Sequence, residues 1–375
     1  MKAIFYRLFM GGFRRIVLPG IVKNDIFTER KNEEAIVVKN FPKGETEPLT
    51  ATEMQQVLSI WGGEECSFSE LGLFKKHRGF DPRYMSHYFY LPIIAHKLNN
   101  YHYTKLFEHK SLLGHIANSE LNTPYCYVRC IDQEYYDNEM NQISRQQAIE
   151  FCVRQDTLIV KDSVDSSGGK SVEKINMINV KDRKKEIERI LAERKCDFVI
   201  QESISQHPSM SKFNESSINT LRVTTLYMNG QFSVCSIILR HGKKEIAVDN
   251  WGAGGIIIGV SCDGRLNEYG YDIKLNKYEG YNGVTYRNEV INQVPLLLKK
   301  IETAHKNQFS ICKFIGWDIC FNQDGEPIVI EVNSSQPGVI GEQLCTGPIF
   351  GDRTQEVIDY CKKKEFNYNK FLFRY

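Results

Sequence analysis

Two dipeptides, Asn229-Gly230 and Asp324-Gly325, restrict the fold of this chain more than any other stretch. Each lies between two runs of strand-forming residues. The first joins "TLRVTTLYM" to "QFSVCSIILR", the second "FIGWDICFN" to "EPIVIEVN". Asparagine or aspartate followed by glycine supplies the positive φ angles of a tight hairpin turn. Both pairs are therefore expected to be antiparallel. That argues against a doubly wound parallel sheet and for an α+β fold.

Counting outward from the turns places side chains on faces. A two-residue turn at Asp324-Gly325 sets Gln323 against Glu326, Asp318 against Glu331 and Gly316 against Asn333. Alternation then sends Trp317, Ile319, Phe321, Ile328, Ile330 and Val332 into a core, and Asp318, Glu331 and Asn333 to the other face. Like charges directly opposed destabilise a strand pair. A hard cation relieves the conflict, because Mg²⁺ takes oxygen ligands from one or two carboxylates together with substrate phosphates. The alternative is a carboxylate that is solvated or paired with a lysine or arginine. The same counting about Asn229-Gly230 sets Arg240 against Asn219, on the opposite face from Arg222 unless a bulge intervenes.

Upstream, "LIVKDSVDSSGGKSV" (158–172) is an apolar run that stops on Lys161 and gives way to a Ser/Gly loop. It is not a P-loop, since the leading glycine of Gly-x-x-x-x-Gly-Lys-Ser/Thr would fall at Val164. Glycine still lets backbone N–H groups close on phosphate. A phosphate loop and an oxygen-only metal site together imply ATP with magnesium.

The remainder sorts into a mainly helical region (1–103), a segment with the loop (104–202) and a part with both hairpins (203–375). Thr52-x-x-Gln55 and Ser144-x-x-Gln147 fit capping boxes, and Leu106, Leu112, Leu113 and Ile116 recur at helical spacing. Strands are expected over 157–161, 170–175 and "DFVIQESI", and helices over 181–195 and 287–307. Lys and Arg total 48 against 46 Asp and Glu, a net charge of +2. That balance gives no general attraction to nucleic acid or acidic lipid. The 11 cysteines are odd in number and form no Cys-x-x-Cys, the pattern of free thiols in a reducing cytosol. No run approaches the ~20 apolar residues of a membrane span. Ile4, Phe5, Leu8 and Phe9, among Lys2, Arg7, Arg14 and Arg15, suit a helix docked on its own domain or a peripheral helix at a membrane surface. The expected location is cytoplasmic, at most peripheral to the inner face of the membrane.

"LIVKDSVDSSGGKSV", "DFVIQESI", "SINTLRVTTL", "VDNWGAGGI" and "GWDI…IVIEVN", in this order and spacing, resemble the ATP-grasp proteins, specifically the sugar-transfer associated ATP-grasp group, over roughly residues 80–375. The resemblance implies two α+β lobes gripping ATP. It makes Lys161 a ligand of the α and β phosphates, and 162–170 a covering loop with Ser167, Gly168, Gly169 and Lys170. In "QESI", Gln201 and the backbone of Glu202 and Ile204 would meet adenine. "YTKLFEHK" resembles an upstream Asp-Lys helix start, which makes Lys105 a further nucleotide ligand, with Thr104 where the acid is expected. Asp318, Glu331 and Asn333 would hold Mg²⁺, or Mn²⁺ in its place. Arg222, and after it Arg240, would stabilise charge on the reacting oxygens. "EVNSSQPG" resembles a substrate-side loop. The implied activity is an ATP-dependent carboxylate–amine ligase acting through an acylphosphate on a small-molecule or sugar-linked substrate, with a glycosyltransferase as a possible partner. A kinase and a non-catalytic nucleotide-binding partner of a glycosyltransferase remain open alternatives. His207, Asn250, Gly254 and Gly255 suit ribose or acceptor contacts, or plain turns.

Overall fold

Most of the expected strands and helices form, but several begin or end elsewhere. The computed structural model describes residues 39, 41–62, 68–117, 120–164, 171–243 and 250–364. These fall into two compact units, one drawn from Met1–Tyr103 and Gly338–Tyr375, the other Thr104–Pro337. The stretch from Gly338 onward thus groups with the N-terminal region, not with the hairpin strands before it.

The described part of the first unit is mainly helical. Helix Ala51–Trp61 opens on a capping box at Thr50 and Glu53, two residues ahead of the expected Thr52–Gln55 pair. Glu53 accepts the Thr50 N–H at 2.7 Å. Starting there puts Val57 and Trp61, four residues apart, on the buried face. The two chain ends are stitched by Gln343. Its carboxamide accepts the Met85 N–H at 2.9 Å and donates to the Met85 carbonyl at 2.8 Å.

The second unit holds two sheets. The smaller comprises β1 (Cys126–Ile131), β2 (Glu134–Tyr136), β3 (Gln142–Ile143), β4 (Thr157–Asp162), β5 (Glu173–Asn176) and β6 (Phe198–Glu202), in the order β3-β2-β1-β6-β4-β5. Val128, Leu158, Val160, Phe198 and Ile200 form a core with two helices, α3 (Arg145–Val153, opened by the expected Ser144–Gln147 box) and α4 (Arg183–Arg194). The larger sheet comprises β7 (Thr220–Met228), β8 (Gln231–His241), β9 (Ile256–Val260), β10 (Leu266–Tyr271), β11 (Lys277–Tyr278), β14 (Phe314–Phe321) and β15 (Pro327–Asn333). Its order is β11-β10-β9-β8-β7-β14-β15. A separate ribbon pairs β12 (Gly280–Tyr281) with β13 (Val284–Thr285). Every strand pairing within both sheets is antiparallel.

Two short helices, α1 (Tyr101–Glu108) and α2 (Lys110–Ala117), serve both sheets. Phe107, Leu113 and Ala117 join the core of the larger sheet. The second of these helices also packs on β1 and β6 of the smaller sheet and on β15 of the larger. Helix α5 (Val294–Asn307) begins later than the expected 287, with Pro295 in its first turn, where the missing N–H is not needed. Beneath the larger sheet, the Trp317 indole N–H donates to Thr225 Oγ1 at 2.9 Å. Thr225 Oγ1 and His305 Nδ1 are 2.9 Å apart, and His305 Nε2 lies 2.8 Å from the Cys312 carbonyl. Each polar atom in this buried chain has a partner, so burying it carries little penalty. Burial holds the His305 imidazole neutral, with its pKa down at about 4.

Both hairpins contain one more residue than simple counting assumes. At the first, Asn229 (φ 53°) and Gly230 (φ 76°) make the expected two-residue turn. Pairing then slips between Thr224 and Thr225, so that Cys235 is extra and Arg240 opposes Thr220, not Asn219. At the second, the turn has three residues. The Asn322 N–H donates to the Glu326 carbonyl at 3.0 Å, and Gly325 (φ 80°) takes the left-handed position. The Asn322 side chain favours this wider turn by accepting the N–H groups of Asp324 and Glu326. A bulge between Asp318 and Ile319 then restores the count, and Asp318 still opposes Glu331 and Gly316 still opposes Asn333. The core face changes accordingly. Val329 and Val332 point inward, while Ile330, expected in the core, is half-buried.

Candidate functional site

The face of the larger sheet away from its core carries a cluster centred on Asp318. Strand β14 lies between β7 and β15, so Asp318 is flanked by Arg222 on one side and Glu331 on the other. Asp318 Oδ1 accepts Arg222 Nε at 2.5 Å, and Oδ2 accepts Arg222 Nη2 at 2.8 Å. Because of the bulge at Cys235, Arg240 turns to the same face as Arg222, and its Nη2 reaches Asp318 Oδ2 at 3.1 Å. Thr220 Oγ1 accepts from Arg240 Nε at 3.1 Å and orients it. Asn333 Nδ2 donates weakly to Asp318 Oδ2 at 3.4 Å. Burial raises the Asp318 pKa, but Arg222 and then Arg240 outweigh it and hold the carboxyl at about 2. Gly316 makes room for this pairing. A Cβ there would lie 3.2 Å from Arg222 Cδ and 3.4 Å from Pro337 Cβ.

From the smaller sheet comes Lys161, near the end of β4 and only 5 % exposed. It opposes Val199 on β6, and Ile159 opposes Gln201, so Lys161 and Gln201 share the face away from the helices α3 and α4. Burial, reinforced by nearby Lys110 and opposed by Glu331, brings the Lys161 pKa down to about 8. Glu331 also pairs with Lys110, Nζ to Oε1 at 3.4 Å. Lys161 thus feels the charges of Lys110 and Glu331, and Glu331 is the strand partner of Asp318. Lys110 was not among the sequence candidates. It lies in the quoted "YTKLFEHK", where Lys105 was favoured, but Lys105 is exposed on α1 while Lys110 is buried.

The other candidates divide. The Gln201 side chain is buried, and its Oε1 has no partner among the described residues. Glu202 spends its N–H on the Tyr125 carbonyl at 2.9 Å and its carboxylate on the Tyr125 N–H at 2.8 Å. Ile204 follows β6 in half-buried coil. Ser167, Gly168, Gly169 and Lys170 lie outside the described residues. His207 caps the short helix Pro208–Ser211, and the Asn250 side chain accepts the Gly252 N–H. Among the described residues no three His, Cys, Asp or Glu side chains converge as a metal site. The oxygen donors present are two carboxylates and one amide, a set suited to a hard cation. Both Asp318 oxygens are engaged by arginine, whereas the Glu331 side chain is 33 % exposed. No helix among the described residues is long and apolar enough to cross a membrane.

The family model for sugar-transfer associated ATP-grasp proteins matches residues 94–359, well over half of the chain. A search of curated proteins finds no match. Among solved structures, the chain is similar to an L-amino acid ligase from Bacillus licheniformis (17% identity, 71% of this chain and 50% of that chain, TM-score 0.38). It is also similar to D-alanyl-alanine synthetase A from Vibrio cholerae (9% identity, 68% and 66%, TM-score 0.38). A third is the biotin carboxylase domain of the Hydrogenobacter thermophilus 2-oxoglutarate carboxylase, in complex with magnesium ADP and bicarbonate (11% identity, 70% and 47%, TM-score 0.42). The chain spans half of the Bacillus ligase's length and under two thirds of the Hydrogenobacter domain's.

Proposed function

Since the chain belongs to the sugar-transfer associated ATP-grasp family, we propose that it is an ATP- and Mg²⁺-dependent carboxylate–amine ligase. A substrate carboxylate oxygen attacks the γ-phosphorus of ATP, the bond to the β-phosphate oxygen breaks, and ADP leaves. An amine nitrogen then attacks the acyl carbon, the carbon–oxygen bond to phosphate breaks, and phosphate departs as the nitrogen loses a proton.

Lys161 and Lys110 hold the phosphates. Gln201 Oε1, a buried acceptor without a partner among the described residues, fits an N–H donor such as the adenine amine. Arg222 and Arg240 face the oxygens on which charge builds, and fixed guanidinium donors in a buried site suit that task. When bound, the divalent ion neutralises phosphate charge; Glu331, Asn333 and Asp318 would hold it. The sugar half of the substrate pair comes from the family's description.

The observation that carries the reading is that buried Lys161, from one sheet, lies within electrostatic range of Glu331, from the other. Burying that lysine depresses its pKa and serves no packing need that methionine would not meet better. The test is ADP release screened against amino acids and amino or uronic sugars, with the product mass checked for an amide. ADP and free phosphate with an amide support the ligase. Phosphorylated product without free phosphate would assign a kinase.

A further inference from the structure

The junction between α1 and α2 is tied to both strand ends that carry the site. On one side, the Lys110 N–H donates to the Ser163 carbonyl at 2.9 Å, and the Ser111 and Ser163 hydroxyls lie 2.5 Å apart, two residues beyond Lys161. On the other, Glu108 Oε1 accepts the N–H groups of Ser334 at 2.7 Å and Ser335 at 2.5 Å, while Oε2 accepts the Ser335 hydroxyl at 2.7 Å. Ser335 Oγ also lies 2.8 Å from Thr104 Oγ1. A carboxylate that ends a helix is locally unfavourable, because it faces the negative end of the helix dipole. Its presence at the last residue of α1 therefore answers a tertiary demand.

We propose that Glu108 is a positioning residue for the metal-side end of β15. The N–H of Ser334 belongs to the peptide that follows Asn333, so holding it fixes the backbone angle that aims the Asn333 side chain. Asn333 in turn directs Nδ2 at Asp318, which leaves its amide oxygen turned away from that carboxylate. Charge-assisted hydrogen bonds to two successive N–H groups make the grip stiff. Glu108 acts through the backbone beside Asn333 and not by contact with substrate. The proposal rests on the nucleotide and metal reading above.

The test titrates a fluorescent ADP against the full chain, once with magnesium varied and once with excess chelator. Glu108→Ala should raise the half-saturating magnesium concentration about 10- to 100-fold, while metal-free affinity stays within about twofold. Glu108→Gln keeps one acceptor oxygen and should restore most of the shift. Amide hydrogen exchange at Ser334 and Ser335 should accelerate in Glu108→Ala. Should that variant not fold, Ser335→Ala, which removes one of the three bonds, should shift the magnesium midpoint in the same direction by less. An unchanged midpoint in these variants, or an equal loss of metal-free affinity, overturns the proposal while leaving the ligase reading standing. A wild type that binds no nucleotide overturns both.

Discussion

Replacing Asp318 by asparagine keeps the shape of the side chain and removes the charge between two guanidinium groups. Arg222 is only 8 % exposed, so the cost is that of leaving buried charge uncompensated. At a charge separation of about 4 Å and an effective dielectric near 20, each arginine gains about 4 kcal/mol from the carboxylate. Part of this is returned when the carboxylate no longer has to be desolvated, and breaking a buried pair costs a net of about 3–5 kcal/mol. A second route starts from the pKa. A fall from 3.8 to about 2 corresponds to roughly 2–3 kcal/mol of stability at neutral pH. Both routes put Asp318→Asn at about 2–5 kcal/mol, or a Tm lowered by about 5–15 °C for a unit of this size.

The pH dependence sharpens the test. The folded pKa lies below the unfolded one, so the Asp318 contribution is complete above pH 3.8 and is lost as pH falls toward about 2. The gap between wild type and Asp318→Asn should therefore close on acidification. Urea unfolding of Asp318→Asn, Arg222→Gln and the double variant should give a coupling energy of about 2–3 kcal/mol. A double-variant loss equal to the sum of the single losses, or a gap unchanged at pH 2, would refute the account of a shared buried charge.

Three further outcomes follow from the same geometry. Gly316→Ala should displace Arg222 by a few tenths of an ångström, because its Cβ would sit 3.2 Å from Arg222 Cδ; ATP turnover should fall while the Tm drops by less than about 5 °C, and intact turnover would contradict the positioning of Arg222. Lys161→Met should raise stability at neutral pH by roughly 3 kcal/mol and abolish nucleotide binding, because a folded pKa of about 8 against 10.5 means the unfolded chain holds the proton more tightly. In the wild type that penalty should shrink as pH rises from about 8 to 10.5, and nucleotide affinity should weaken over the same range. His241 and His305 are held neutral with pKa values of about 4, so stability should be lost as pH falls from 6.5 toward 4, by roughly 3 kcal/mol each; thermal melts that do not change between pH 7 and 5 would contradict this.

Local chemistry made some of the fold legible and tertiary chemistry hid the rest. Asn229-Gly230 announces its hairpin because the turn conformation is decided within two residues. Strand β1, "CYVRCI", was not read because Arg129 interrupts its apolar pattern. Only the folded chain shows the guanidinium buried and satisfied by the carbonyls of Ser111 and Asp137. In β9 all five residues are buried, so there is no alternation to read. Lys105 and Lys110 look equivalent in sequence. The available signal was Glu108, an acid at a helix end that local propensity disfavours, two residues before the buried lysine.

The site itself depends on irregularity that no alternating pattern discloses. Strands β7 and β14 run without a break against each other and set Arg222 beside Asp318. Their outer neighbours each carry one extra residue. In β8, the residues packed on the core change from Phe232 and Val234 to Ile237 and Leu239 across Cys235. That change of parity turns Arg240 toward Asp318, where strict alternation would have sent it to the opposite face. In β15 the change from Val329 to Val332 across Ile330 offsets the wider turn at Gln323–Gly325, and Glu331 and Asn333 return to the face of Asp318. Counting from a two-residue turn reaches the right partners only because the two departures cancel. A bulge re-aims every residue beyond it and adds local twist. The straight central pair therefore supplies a rigid Arg222–Asp318 couple, and the bulged flanks add Arg240 from one side and the two remaining oxygen donors from the other.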